Sequence, residues 1–524
     1  MPSYVGHLVH RLARQAPARP VLVGADGRSL TRAQLDERTS RLANAFLGAG
    51  LAPGDRVAVW MEDVPETVEV YLAAAKASLV GVPIGRLLAA PEAAYVLTDV
   101  GARALVTSQG LAERVAPALA ATDHELDVLV ALGEPGADRT ARYEDFLAAG
   151  APDLPTARQP VDDQDVLVGY TSGTTGFPKG ALIRERALRE ILAISATARR
   201  LHLYGTGLMT ASLSFPAILP ADIFTHLFIG GTIHLTNGWD VERVLSTVER
   251  IRATYMYLPS PVMLEFAEAA TARPDAIASL RTIMHSGSKA PPDKVAAVCA
   301  ATGGRYVEIW GMMENSGGPV TATTEADLTG DAADIFASVG RPVPACEVRV
   351  LDPAGRPLPP GPDNVGELVL ASPALFSGYW NNEKATADAV RDGWYRSGDL
   401  GWTDAAGYVY LVDRRSDLIV SGGANVYPSE IERVIAAHPG VVEVAVVGVP
   451  HPRWGRRPVA VVVPRPGTAI SEAEIVALCR SQLARFKAPD RVLFTAEIAH
   501  NASHKLLRKK VQEWAESELA ATEA

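Results

Sequence analysis

Residues 170–180 read YTSGTTGFPKG, a string with three glycines, four Ser/Thr hydroxyls and one lysine. The apolar, β-prone residues 166–170 (VLVGY) in front of it predict a strand that runs into a loop. Glycines there let backbone N–H groups approach a polyphosphate closely. The hydroxyls of Thr171, Ser172, Thr174 and Thr175 can donate to its oxygens, and Lys179 can neutralise charge. A Gly/Thr-rich surface turn is the bland alternative, and a strand leading into the full string argues against it. Walker-type loops need Gly-Lys followed at once by Ser or Thr. Gly180 follows Lys179 here, which excludes a kinase-type P-loop.

Outward from that loop, helical stretches such as 31–49 alternate with β-rich runs such as 56–61 and 104–107, the pattern of an α/β domain. Helices are predicted over 185–199 and 240–253, the second with Val241, Val244, Leu245 and Val248 on one face. Near residue 340 the prolines at 342, 344, 353, 357, 359, 360 and 362 punctuate short strands over 347–351 and 366–370, which reads as a β-rich subdomain of about 340–412. After Asp413 a compact α+β unit follows: a helix over 429–437, strands near 442–449 and 458–463, a helix from Ser471, a strand over 491–495 and a terminal helix from about 506. Ser471 and Glu474 have the spacing of a capping box. The fold class is thus a mixture of α/β and α+β: a large N-terminal domain of helix-flanked sheets, residues 1–413, and a small C-terminal domain, residues 414–524.

Composition narrows the function. The 524 residues exceed what one core usually supports, and 48% hydrophobic with 21% charged residues is ordinary for a soluble globular chain. A formal net charge of -10 without a basic stripe disfavours nucleic acid as a partner. Cys299, Cys346 and Cys479 lie far apart without His or Cys clustering, which points to buried thiols in a reducing, cytoplasmic compartment rather than to zinc. No apolar run approaches the roughly 18 residues that span a bilayer. At the N-terminus Val5, Leu8, Val9 and Leu12 fit a docked surface helix, stopped by Pro17 and Pro20, better than a targeting signal.

Further strings lie downstream: WGMME at 310–314, YRSGD at 395–399, DRRSD at 413–417, SGGANVYP at 421–428 and NASHKLLR at 501–508. With the loop at 170–180, and in this order, they resemble the motifs of the adenylate-forming superfamily of acyl- and aryl-CoA synthetases, peptide-synthetase adenylation domains and luciferases. The resemblance implies ATP and Mg²⁺. It assigns the phosphates to Thr171, Ser172, Gly173, Thr174, Thr175, Gly176 and Lys179, and the rest of the nucleotide site to Gly287, Ser288, Trp310, Gly311 and Met313, with Trp310 beside the adenine. It implies that Glu314 holds Mg²⁺ and takes part in catalysis, that Asp399 binds both ribose hydroxyls, and that Arg414 contacts the nucleotide. Lys505 becomes the catalytic lysine, carried on a mobile C-terminal domain that rotates about the 413–417 junction. Ser214, Phe215, Met312, Met313 and His504 fall on the acid side.

Several positions depart from the family pattern. Met313 replaces the usual threonine, Phe215 stands where many CoA ligases have histidine, Ser416 occupies a junction position commonly aspartate or lysine, and His504 replaces the glycine before the catalytic lysine. Ala499 and His500 replace a common Pro-Arg pair, and Arg456 and Arg457 stand where an acidic residue is common and where a CoA phosphate could be met. The implied activity is adenylation of a small acid with release of pyrophosphate, then transfer to CoA. Two alternatives stay open: adenylation with a carrier protein or an amine as acceptor, including nitrite activation for diazotisation of an aryl amine, and a non-catalytic nucleotide-binding scaffold.

A carboxylic acid with a pKa near 4 is already ionised at neutral pH, so the adenylation step needs no general base. It needs two anions aligned and charge neutralised at the α-phosphate. Lys505→Ala is therefore expected to leave substrate binding nearly intact while cutting acid-dependent pyrophosphate release by orders of magnitude. Near-normal release from that variant would remove Lys505 from the mechanism.

Overall fold

Runs such as RVAVW at 56–60 and ALVTS at 104–108 carry little polar alternation, which is what strands covered on both faces require. The computed structural model describes residues 4–523 apart from 123–124, 135–139, 156–160, 172–177, 288–289, 329–332, 415–416, 422–423, 452–454, 484–486 and 501–505. Its residues form two compact units, Met1–Glu347 with Leu370–Tyr395 and Val348–Val369 with Arg396–Ala524.

Among the described residues the first unit carries two large sheets. One has seven strands in the order Ala141–Arg142, Val128–Leu132, Ala104–Ser108, Arg56–Trp60, Val80–Pro83, Asp165–Thr171, Lys179–Arg184. Its pairings are parallel except the last, which is antiparallel. The other has nine strands, and its centre runs parallel through Tyr306–Gly311, Thr282–His285, Tyr255–Tyr257, Thr206–Met209 and Thr232–Leu235. Helices cover the sheets; Pro65–Lys76 is buried at every one of its residues.

Local signals set the helix ends. Asp240 caps Val241–Ile251 by accepting from Arg243 N at 2.8 Å, and Arg252 at φ +51° ends the helix just short of the predicted limit. The N-terminal helix Val5–Gln15 docks with Val5, Leu8, Val9 and Leu12 buried, as its spacing predicts. The capping box expected at Ser471 is only half made. Ser471 Oγ accepts from Glu474 N at 3.2 Å, but the Glu474 carboxylate turns to His438 Nε2 at 3.2 Å. A complete box forms instead at Thr31 and Gln34.

In the second unit Glu347–Leu351, Gly366–Ala371, Trp394–Thr403 and Val409–Arg414 lie side by side in that order. The C-terminal part is built on the long antiparallel hairpin of Val441–His451 with Gly455–Pro464. Period-two alternation sends Val446, Ala460 and Val462 to a core with helices Pro428–Ala436 and Glu472–Gln482, and Ala445, Val447, Val459 and Val461 to a second core under helix Arg508–Glu523. All three cysteines are buried, and burial pushes the thiols of Cys299 and Cys479 up to about 12 and about 11. Among the described residues no helix is long and apolar enough to cross a membrane.

Glu185, 1% exposed, accepts from Val5 N at 2.8 Å and thereby anchors the first turn of the N-terminal helix. Burial outweighs that bond and the charge of Arg189, and raises its carboxyl from 4.5 to about 7. Between those values the folded chain keeps a proton that the unfolded chain has lost, so stability falls as pH rises from about 4.5 to about 7, by roughly 3 kcal/mol. Glu185→Gln retains an acceptor for Val5 N without the charge. Thermal unfolding followed from pH 4.5 to 7.5 is expected to lose most of this downward slope in the variant; an unchanged slope would assign it to other groups.

Candidate active site

The segment expected to grip phosphates has both its ends in paired strands. Strand Asp165–Thr171 pairs with Lys179–Arg184 so that Tyr170 faces Gly180 and Thr171 faces Lys179. Thr171 and Lys179 therefore stand at the two ends of the glycine-rich segment, whose Ser172, Gly173, Thr174, Thr175 and Gly176 lie outside the described residues. Helix Ala90–Val100 holds both feet from one face. Asp99 Oδ2 accepts from Tyr170 OH at 2.6 Å, and Tyr95 OH donates to Pro178 O at 3.1 Å.

Residues 376–380 run alongside the second strand through Ser377 N to Leu182 O (2.9 Å), Leu182 N to Gly378 O (3.0 Å) and Trp380 N to Gly180 O (2.7 Å). This brings in Tyr379, which has no sequence signal. Its OH donates to Glu314 Oε1 at 2.8 Å, and Lys179 Nζ lies 5.3 Å from its ring centroid. Thr171 Oγ1 makes a longer approach to the same Oε1, at 3.4 Å. Both bonds land on Oε1, and among the described residues Oε2 takes none. Burial and then the Glu314 charge push the Tyr379 phenol above its ordinary value, so it stays a donor.

Glu314, 7% exposed, sits in the tight turn Met313–Asn315 directly after strand Tyr306–Gly311, which carries Trp310 at 5% exposure. Among the described residues no group of three His, Cys, Asp or Glu side chains could hold a metal. A single carboxylate still suits Mg²⁺, which keeps its waters and takes substrate phosphates as ligands. Met312 is half-buried, whereas Met313 packs against Gly169: a Cβ there would meet Met313 Cε at 2.6 Å. Glycine in the strand thus makes room for the thioether. Gly287 follows strand Thr282–His285 with φ +91°, and Ser288 lies outside the described residues.

Ser214 and Phe215 belong to a short turn held by Asp63, whose Oδ1 accepts from Ser212 Oγ at 2.9 Å and Leu213 N at 2.6 Å. Ser212 Oγ in turn lies 2.9 Å from Ser214 Oγ. Burial raises the Asp63 carboxyl against the pull of these two bonds. Phe215 is half-buried, and a π-helical segment, Leu219–Phe224, follows it.

In the second unit Asp399 and Arg414 are Cα partners on adjacent antiparallel strands. Asp399 N donates to Ser397 Oγ at 3.1 Å, and Ser397 Oγ donates to Leu368 O at 2.6 Å. His504 and Lys505 lie outside the described residues, as do Ser416, Gly422 and Gly423. The ends of their segment are tied together by Leu507 N to Ala499 O (2.9 Å) and a bridge between His500 and Leu506. Three residues past Lys505, Arg508 is anchored on Asp417 Oδ2 at 3.2 Å, on the Glu432 carboxylate and on Val446 O. Arg457, a candidate for CoA phosphate, is engaged by Asp490 at 2.8 Å with its side chain 12% exposed.

Comparisons with known proteins identify the family. The model of the AMP-binding enzyme family matches residues 9–380, and that of the AMP-binding enzyme C-terminal domain matches 430–505. A feruloyl-CoA synthase from an Amycolatopsis species is 36% identical over 96% of this chain and 97% of its own. The fatty acid–[acyl-carrier-protein] ligase ScoC of Streptomyces coeruleorubidus is 33% identical over 96% and 95%. Among solved structures the amide bond synthetase McbA from Marinactinospora thermotolerans superposes with a TM-score of 0.85 at 30% identity, covering 98% of this chain and 100% of that one. The chain belongs to the AMP-binding enzyme family, the adenylate-forming superfamily, and is an AMP-forming ligase.

Proposed function

We propose that this ligase adenylates a medium-sized or aromatic carboxylate and passes the acyl group to the thiol of CoA. The observation that carries the reading is the meeting of Thr171 and Tyr379 on Glu314 Oε1, with Lys179 Nζ over the Tyr379 ring, at the feet of the 170–180 loop. A carboxylate oxygen of the acid attacks the α-phosphorus of ATP and pyrophosphate leaves. The CoA sulfur then attacks the acyl carbon, and AMP leaves.

In this reading Lys179 and the hydroxyls of residues 171–175 hold the β- and γ-phosphates. Mg²⁺ at Glu314 would neutralise phosphate charge. Tyr379 fixes Oε1 of Glu314, and the carboxylate would hold the cation. Gly287, Ser288, Trp310, Gly311 and Met313 contribute to the nucleotide site with Trp310 beside the base, Asp399 takes the ribose hydroxyls, and Arg414 contacts the nucleotide. Lys505 neutralises the α-phosphate, and residues 414–524 act as the mobile domain, with Arg508 holding the lysine's segment to its own unit. Ser214, Phe215, Met312, Met313 and His504 line the acid. An acid of aryl or medium size is supported by relatives that act on ferulate and indoleacetate by name.

A second reading keeps adenylation and replaces CoA by a carrier protein or an amine. It is favoured by the names of the carrier-protein ligase and the amide bond synthetase, and by the two apolar departures Phe215 and Met313, which in this reading narrow the pocket toward a very small oxyacid such as nitrite. A scaffold has no need of Lys179, Glu314, Asp399, Arg414 and Lys505 together, which speaks against a non-catalytic role.

Pyrophosphate release screened over benzoates, cinnamates, fatty acids, amino acids and nitrite, with and without CoA, is expected to single out an aromatic or medium-chain acid whose product is a CoA thioester by mass spectrometry. CoA-independent turnover with nitrite would replace that choice. In the same assay Tyr379→Phe removes a hydrogen bond to a carboxylate worth about 1.5–3 kcal/mol. It is expected to raise the Mg²⁺ concentration needed for half-maximal rate by roughly ten-fold or more. An unchanged Mg²⁺ titration would detach Tyr379 from the metal.

A further inference from the structure

A second polar cluster sits at the C-terminal ends of the central parallel strands, apart from the Glu314 group. His285 ends strand Thr282–His285 and is the Cα partner of Glu308 on strand Tyr306–Gly311. Its Nδ1 lies 2.9 Å from Glu308 Oε1 and 3.0 Å from Oε2. Its Nε2 is in short hydrogen-bond contact with Ser260 Oγ, and Tyr306 OH donates to Glu308 Oε2. The His285 side chain is 0% exposed and that of Glu308 4%.

The chemistry orders the protons. An ionised carboxylate accepts only, so an Nδ1–H of His285 satisfies the contact to Glu308, and Nε2 faces the Ser260 hydroxyl. Each buried group is the other's partner, and losing either strands a desolvated polar group. The pair therefore locks two neighbouring strands at this level.

Two features give that lock a consequence. The residue after His285 is Ser286, whose carbonyl accepts from Tyr257 OH at 3.0 Å, and Gly287 follows at φ +91°. The turn leaving the strand is thus held from two sides, by the imidazole and by the phenol. Two residues beyond Glu308 on its own strand is Trp310. The same carboxylate that fixes the root of the Gly287 turn belongs to the strand that presents the indole.

We propose that the His285–Glu308 pair, with Ser260 and Tyr257, is a positioning device that fixes the Gly287 turn relative to Trp310 and thereby sets affinity and selectivity for the purine ring of the nucleotide without touching it. The inference rests on the assignment of Gly287 to the nucleotide site and of Trp310 to the base in the proposed function. A flat ring is gripped well only when the surfaces on either side of it are held rigidly at the right separation.

Direct calorimetric binding of ATP and GTP tests this independently of the acid. His285→Ala and Glu308→Gln, each checked for wild-type unfolding behaviour, are expected to weaken ATP binding at least ten-fold and to narrow the ATP-over-GTP preference. Once the acid is known, KM for ATP should rise while KM for the acid and kcat at saturating ATP stay within about two-fold. His285→Asn, whose side-chain amide can still donate to Glu308, should recover part of the loss. Should the two severe variants unfold, Tyr257→Phe, which removes only a hydroxyl, is expected to weaken ATP several-fold in the folded chain. Wild-type ATP affinity in the folded variants, or an equal rise in KM for ATP and acid, would overturn the proposal. ATP binding without pyrophosphate release for any acid would instead overturn the function proposed above and leave the positioning claim to be judged on binding alone.

Discussion

The antiparallel turn of the last strand in the seven-stranded sheet is the constraint on which the first unit's site depends. Parallel neighbours need a crossover of a dozen residues or more, whereas antiparallel ones can be joined by a short loop. Reversing Lys179–Arg184 against Asp165–Thr171 lets residues 172–178 connect Thr171 directly to its cross-strand partner Lys179. The two ends of the glycine-rich segment are thus held as a strand pair, and the other side of the reversed strand receives residues 376–380 and with them Tyr379.

Carboxylates in the two units are answered in different ways, and the difference matches their surroundings. Glu314 receives a phenol and a more distant hydroxyl, neutral donors that leave its charge available to a cation. Asp63 receives a hydroxyl and a backbone amide, which shape the 212–215 turn. Glu308 is bonded by an imidazole and a phenol and makes a structural brace. In the second unit Arg508 is buried against Glu432 and Asp417; burial alone would lower its pKa, and the two carboxylates reverse that. A cation so held keeps the chain after Lys505 in register with helix Pro428–Ala436.

The departures from the family pattern now have neighbours. Met313 does not stand alone in a cavity: Gly169 yields it space in strand Asp165–Thr171, so the thioether packs against the sheet. Phe215 lies on a turn held by Asp63, so this turn and its polar support come from segments about 150 residues apart. Arg457 pairs with Asp490 inside its own unit.

Much of this protein is written locally. Apolar runs with β-branched residues mark the buried strands, Asp240 marks a helix start, three- and four-residue spacing marks the docked N-terminal helix, and the 170–180 string with its later companions marks nucleotide chemistry, because each signal needs only near neighbours along the chain. The failed box at Ser471 shows the limit: its Glu474 was captured by His438, a partner 36 residues away. Tyr379 reaches Glu314 across 65 residues, Arg508 reaches Glu432 across 76, and His285 reaches Glu308 across 23. Such pairs are made by strand order and cross-strand register, and no periodicity in a single chain encodes which strand will lie beside which, so the partners of the site's charged groups were decided only by the tertiary structure.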